Sequence, residues 1–163
     1  MRPTKEQYYL NIAREVATRA TCIRRKFGAI IVKNDTILST GYTGAPRKTA
    51  NCIDLGVCPR KKAGIPPGQR YELCRSVHAE MNAIINAARS GVSILGGTMY
   101  VYMIDLVGDA KNIELRPCKL CRRMIINAGI KEVIMSDGER VAKHKVEDWI
   151  KEEDKIDLKS KGY

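Results

Sequence analysis

The chain has no run approaching the roughly 20 consecutive apolar residues that a membrane-crossing helix needs. Its N-terminal stretch also lacks the apolar core of a secretory signal. These absences predict a cytoplasmic protein with no membrane association. Internal repeats and low-complexity tracts are missing as well, and aromatic residues are few, with one Trp and one Phe. Acidic residues are scarce in the first half, where residues 1–75 hold five Asp or Glu against fifteen Lys or Arg; residues 76–163 hold thirteen against fourteen. The net charge of +11 therefore belongs to the first half. Its basic blocks, such as Arg24-Arg25-Lys26 and Arg60-Lys61-Lys62, suit nucleic acid, anionic nucleotides or plain solvent. They are short, without interleaved aromatics and without a recognised binding module, so nucleic acid is not expected as the main substrate.

What is present fits one domain of ordinary size. The 163 residues can bury a core without disulfide help. We expect a single domain over residues 1–159 and a frayed tail over 160–163. In a reducing compartment the six cysteines read as thiols and metal ligands rather than bridges.

Two short segments carry the chemistry. His78-Ala79-Glu80 supplies an imidazole and, two residues on, a carboxylate; Pro117-Cys118-Lys119-Leu120-Cys121 supplies two thiols. One imidazole and two thiolates are three zinc ligands, leaving the fourth tetrahedral position to water, whose pKa the metal lowers toward neutrality. Glu80 can sit beside such a metal without ligating it and move protons. A lone Cys-x-x-Cys would fit a redox pair or a structural zinc site equally well. The ordered set of His-x-Glu followed by Pro-Cys-x-x-Cys is the signature of the zinc nucleobase deaminases. A structural zinc knuckle would use a fourth protein ligand and have no need of Glu80.

The rest of the chain reads as alternating elements. An amphipathic helix is expected over 5–20 with Tyr8, Ile12, Val16 and Ala20 inward, then strands at 28–33 and 36–42 about an Asn34-Asp35 turn. A long irregular loop follows from Gly44 to about Cys74. The catalytic helix covers 77–89, with Ser76 as N-cap and Met81, Ile84, Ile85 and Ala88 as its apolar stripe. A strand is predicted at 98–104, an irregular charged span runs to Arg116, and the cysteine helix starts with Pro117 at its first position and ends at Gly129. A strand at 132–135, a last helix at 143–153 burying Val146, Trp149 and Ile150, and an edge strand at 155–159 complete the expectation. The pattern predicts an α/β domain of three layers, α/β/α, with a mixed central sheet and active residues at helix starts.

Beyond the metal motif, Lys26-Phe27-Gly28-Ala29, Ser39 through Pro46, His78 through Ile84, Gly97 through Tyr100 and Ile126 through Ile130 resemble successive blocks of the deoxycytidylate deaminases. The resemblance extends over nearly the whole chain and places it in the cytidine and deoxycytidylate deaminase superfamily. It implies the cytidine-deaminase-like fold, conversion of dCMP to dUMP and ammonia in support of thymidylate synthesis, and a homo-oligomer, a hexamer by the pattern of the family. It also implies dCTP with magnesium as activator and dTTP as inhibitor. On this resemblance Glu80 is catalytic, His78, Cys118 and Cys121 hold the catalytic zinc, and Thr43 and Arg89 contact substrate. Arg89, three turns from His78, would reach the 5′-phosphate across a subunit boundary. Cys22, Cys52, Cys58 and Cys74 would hold a second, structural zinc. Thr43 stands where the family often has Asn, and the 105–116 span is longer than usual. The alternatives are a zinc deaminase of another cytosine nucleotide, nucleoside or small heterocycle, or a non-catalytic zinc-stabilised nucleic-acid-binding protein.

Overall fold

A computed structural model describes residues 1–155. Apart from Lys155, the edge strand expected at 155–159 and the tail expected at 160–163 lie outside the described residues. The elements are α1 (Lys5–Thr18), β1 (Arg25–Lys33), β2 (Thr36–Tyr42), short α2 (Cys52–Leu55) and α3 (Pro59–Lys62), α4 (Ala79–Arg89), β3 (Thr98–Asp105), α5 (Lys119–Asn127), β4 (Glu132–Ser136), β5 (Val141–Lys145) and α6 (Val146–Glu153). The five strands order as β2-β1-β3-β4-β5. Only β3 and β4 run parallel, joined by the crossover helix α5; the other neighbours are antiparallel.

Alternation along the central strands divides the core. Ala29 and Ile31 of β1 join Met99, Val101, Met103, Val133 and Met135 on the face covered by α4, α5 and α6. Ile30 and Val32 pack on the other face against Tyr9 and Ala13 of α1. A mixed sheet between two helical layers is the architecture expected from the sequence. At the hairpin, Asn34 and Asp35 both have positive φ, 50° and 57°, which matches the right-handed twist of the flanking strands.

Helix α1 buries Tyr9, Leu10, Ala13 and Ala17; of the expected face Ala20 is buried and Ile12 and Val16 are half-buried against the core, whereas Tyr8 is exposed. Close approach is the reason. A Cβ at Gly28 of β1 would lie 2.3 Å from the Ala13 carbonyl oxygen and 2.3 Å from the Ala17 nitrogen. Only a small-residue face lets the helix backbone come that near.

The same device seats α4 on β2. A Cβ at Gly41 would lie 2.2 Å from the Ala83 nitrogen, and α4 accordingly buries Ala79, Ala83 and Ala87, while Ile85 and Ala88 of the expected stripe are exposed. Edge strand β2 is then stitched to the helix. Ser39 Oγ donates to the Ala83 carbonyl at 2.6 Å, and the amides of Asn82 and Asn86 donate to the carbonyls of Tyr42 and Thr40, each at 2.8 Å. Carbonyls that would face solvent on an open sheet edge are satisfied by side chains. Gly41→Ala should therefore destabilise the protein by about 1–3 kcal/mol, read as a lower urea midpoint at unchanged slope. A midpoint equal to wild type would show that α4 can move away at no cost.

The last helix is shorter than expected. Val141–Lys145 pairs antiparallel with β4 as the edge strand β5, and α6 begins only at Val146. Val146 and Trp149 are buried as expected, whereas Ile150 is exposed. The alternating exposure along β5 shows a period of two that five residues flanked by charges conceal in the sequence.

Candidate active site

Two helix starts meet at the expected residues, each two residues beyond where the sequence placed its cap. His78, not Ser76, is the N-cap of α4, and Cys118 is the N-cap of α5, with Pro117 one position before it rather than inside the helix. Ser76 is engaged elsewhere, its side chain on the Cys52 thiol and its backbone on Cys74. An antiparallel bridge between Gly44 and Val77, with hydrogen bonds of 2.8 and 3.2 Å, ties the residue before His78 to the strand end of β2. The imidazole is thus aimed by the sheet.

His78 Nδ1 lies 3.4 Å from Cys118 Sγ and 3.3 Å from Cys121 Sγ. With zinc bonds of about 2.3 Å to sulfur and 2.0–2.1 Å to nitrogen, a tetrahedral N to S edge is about 3.5 Å. The three donors fit zinc. Among the described residues they are also the one set of three or more such groups whose ligand atoms all lie within 4.8 Å of one another.

The electrostatics suit a cation. Cys118 Sγ accepts the Cys121 backbone N–H at 3.4 Å at the positive start of α5. A hydrogen bond from the Cys121 thiol, then those from His78 and the Cys121 backbone, lower the Cys118 pKa to about 4, against the effect of burial. Cys121 is pushed up chiefly by the same thiol pair and by burial, since two adjacent thiolates repel until a dication compensates them. Burial opposes the charged form of His78, but its hydrogen bonds to Cys118 and Cys74 and the charge of Glu80 outweigh that and raise it to about 10. Glu80, only 5% exposed, is raised by burial, with the His78 charge acting in the opposite direction. A buried carboxyl with a raised pKa beside three metal donors is equipped to take up and return a proton.

Thr43 is buried, and its hydroxyl has no hydrogen-bond partner. The next residue, Gly44, forms the backbone bridge to Val77, the residue before His78. Arg89 is exposed at the opposite end of α4, about 16 Å along the helix from His78, and is not brought to the site of its own chain.

The remaining cysteines do not close into a second ligand set among the described residues. Burial and then the neighbouring Cys22, Cys58 and Cys74 raise the Cys52 thiol, so the four share one quarter of the molecule. Cys74 instead hydrogen-bonds His78, which together with the Ser76 backbone lowers its pKa against the effect of burial. Cys52 thus has the other three members of the expected four-thiolate set as neighbours, while no three ligand atoms of that set lie within 4.8 Å of one another.

The long loop contributes residues that sequence reasoning passed over. Arg60, placed in the sequence in an exposed basic block, is 7% exposed and donates to the carbonyls of Pro66 at 3.0 Å and Gln69 at 2.5 Å. Its guanidinium lies 4.7 Å from the ring centre of Tyr71, whose ring stands edge-on to His78. Arg25, in the other block, pairs with Asp105 and Asp109 of the charged span. Arg140 fastens that span from the far side by donating to the Ala110 and Ile113 carbonyls. No local periodicity distinguishes these arginines from solvated ones.

The class is now defined by fold and site together: an α/β/α domain in which three donors able to hold a metal meet at two helix starts beside a separate buried carboxyl. The sequence model of the cytidine and deoxycytidylate deaminase zinc-binding region matches residues 3–137. The chain belongs to that family. It is 35% identical over 138 residues to the deoxycytidylate deaminase of Mycobacterium phage D29, covering 82% of this chain and 94% of the phage protein. It is 33% identical over 141 residues to the deoxycytidylate deaminase of Saccharomyces cerevisiae, covering 86% of this chain but 40% of the yeast protein. The chain thus spans about two fifths of the yeast relatives it matches. The dCMP deaminase of cyanophage S-TIM5, solved in complex with dCMP and dUMP, superposes with a TM-score of 0.60 at 29% identity, covering 83% of this chain and 82% of that one. Among the described residues no helix is long and apolar enough to cross a membrane.

Proposed function

We propose that the protein is a zinc-dependent deaminase that converts dCMP and water to dUMP and ammonia. The observation that carries this reading is Glu80, buried and unligated beside the His78, Cys118 and Cys121 donors. His78, Cys118 and Cys121 would hold the zinc, which when bound would supply the Lewis acidity that makes hydroxide available near neutral pH. Glu80 takes the proton of the attacking water, delivers it to N3 as oxygen adds to C4 of cytosine, and then passes a proton to the departing amine. The free Thr43 hydroxyl offers a donor or acceptor to the sugar side of the substrate. Support for a cytosine nucleotide comes from the phage and yeast relatives named above and from the dCMP and dUMP bound by the cyanophage enzyme.

Arg89 belongs to this reading only through a homo-oligomer, in which it meets the phosphate of a substrate bound to a neighbouring copy. Its rigid fork of donors suits that partner. A hexamer, regulation by dCTP with magnesium and by dTTP, and a role in supplying dUMP for thymidylate synthesis in the cytoplasm are the finer parts of the same proposal.

Ammonia release from a panel of cytosine nucleotides and nucleosides, with and without dCTP, dTTP and magnesium, tests it. We expect dCMP to exceed deoxycytidine in kcat/KM by about one to two decades, the worth of a charge-assisted phosphate contact of about 1.5–3 kcal/mol. Arg89→Ala should remove most of that ratio. If deoxycytidine or dCTP is the better substrate, the assignment to dCMP is wrong; if the variant slows both substrates equally, Arg89 does not read the phosphate.

A further inference from the structure

We propose that Tyr71, held by Arg60, is a positioning residue for His78, acting beside the Cys74 hydrogen bond. The inference rests on the zinc reading above and extends it to the long loop that the motif does not explain. The Tyr71 and His78 ring centres are 5.2 Å apart with planes at 84°, an edge-to-face contact. Tyr71 also meets the Arg60 guanidinium, which lies 4.7 Å from its ring centre. Arg60 cannot wander, since it is buried and anchored to the Pro66 and Gln69 carbonyls.

The backbone between them is arranged to deliver the ring. Gly68 turns the chain with φ of 83°, and Arg70 sits in the left-handed region at φ 51° as the residue before the short 3-10 turn Tyr71–Leu73. Leu73 N–H closes that turn on the Arg70 carbonyl at 3.1 Å. A left-handed non-glycine residue is costly unless surrounding contacts hold it, and the Arg60 anchors lie in that stretch. A wall is therefore built against one side of the imidazole while its Nδ1 faces the two thiols. A metal-ligating imidazole left free to rotate would lose affinity in proportion to the orientations it samples. Supporting groups of this kind are typically worth about 10–100-fold in metal affinity or activity.

Tyr71→Leu, which keeps apolar bulk but removes the ring, separates this role from direct substrate contact. Zinc affinity, measured by competition with a chromophoric chelator, should fall by about 10–100-fold while far-UV circular dichroism and cooperative unfolding are retained. In the zinc-loaded variant kcat should fall with little change in KM for dCMP. Tyr71→Phe should restore both, since the ring and not the hydroxyl does the positioning, and Arg60→Met should weaken zinc binding in the same direction but less. Wild-type zinc affinity in Tyr71→Leu, or a raised KM with unchanged affinity, overturns the proposal; so does Tyr71→Phe being as damaging as Tyr71→Leu. Because affinity is read without substrate, a wild-type protein that binds zinc but does not deaminate dCMP would sink the substrate assignment and leave this inference standing. A wild-type protein that binds no zinc would sink both.

Discussion

Glu80→Gln should reduce kcat by about 10²–10⁴-fold while zinc content and the unfolding midpoint stay near those of the parent. The amide keeps the size of the side chain but can neither accept a proton from water nor return one to N3 or to the amine. At a thousandfold loss the missing stabilisation is about 4 kcal/mol of barrier, large for one isosteric change. Zinc should remain because Glu80 lies outside the donor set of His78, Cys118 and Cys121. The pH profile gives a second reading. Burial raises the Glu80 pKa, so the parent enzyme should slow as pH falls through that raised value and the carboxylate becomes protonated. The residual rate of the variant should lack that acid limb. Near-normal turnover in a zinc-loaded Glu80→Gln protein would remove the carboxylate from the mechanism.

Cys121→Ser should instead lose the metal. Cys121 is fully buried in the first turn of α5, with His78 Nδ1 3.3 Å from its sulfur. A hydroxyl replaces the thiolate with a far weaker zinc ligand at little change in volume. Zinc affinity should fall by more than the roughly 10–100-fold that a supporting residue is worth, and turnover should fall with it. Stability should fall too, because zinc that binds the folded chain and not the unfolded one stabilises it by mass action. Metal analysis on the purified protein, paired with thermal unfolding with and without chelator, reads both effects. The parent should lose stability on chelation and the variant should be indifferent to it. A Cys121→Ser protein that keeps one zinc per chain and is active would mean that this thiol is not a ligand. The two variants therefore part the chemistry from the metal: one is expected to be loaded and inert, the other empty.

The donors and the carboxylate were legible because their spacing is local. His-x-Glu and Pro-Cys-x-x-Cys name the same side chains whatever packs around them, and strands such as Thr98–Asp105 declare themselves by β-branched and aromatic content. The loop was legible only as a loop. Arg60 and Lys61 are adjacent and alike in charge, yet one is buried and the other exposed. The difference is made by the carbonyls of Pro66 and Gln69 and by a tyrosine eleven residues on. Asn82 and Asn86 read as ordinary helix surface until β2 is placed beside them with its carbonyls to satisfy.

By itself the amino-acid sequence determined the chemical groups, the order of the main elements and the mixed sheet, since hydrophobic period and motif spacing act over a few residues. It did not determine which face of a helix is buried. Counting apolar bulk favours Tyr8 on α1 and Ile85 on α4, yet both are exposed; the fold buries Tyr9, Leu10 and two alanines of α1 and three alanines of α4, because Gly28 and Gly41 let the helix backbones come to the sheet. That choice is made between residues far apart in the chain. The same holds for the four cysteines outside the Pro-Cys-x-x-Cys motif, alike in the sequence: Cys74 approaches His78 from the loop, while Cys22 and Cys58 neighbour Cys52. Only the tertiary structure decides such partnerships, since each depends on where the backbone of another element comes to rest.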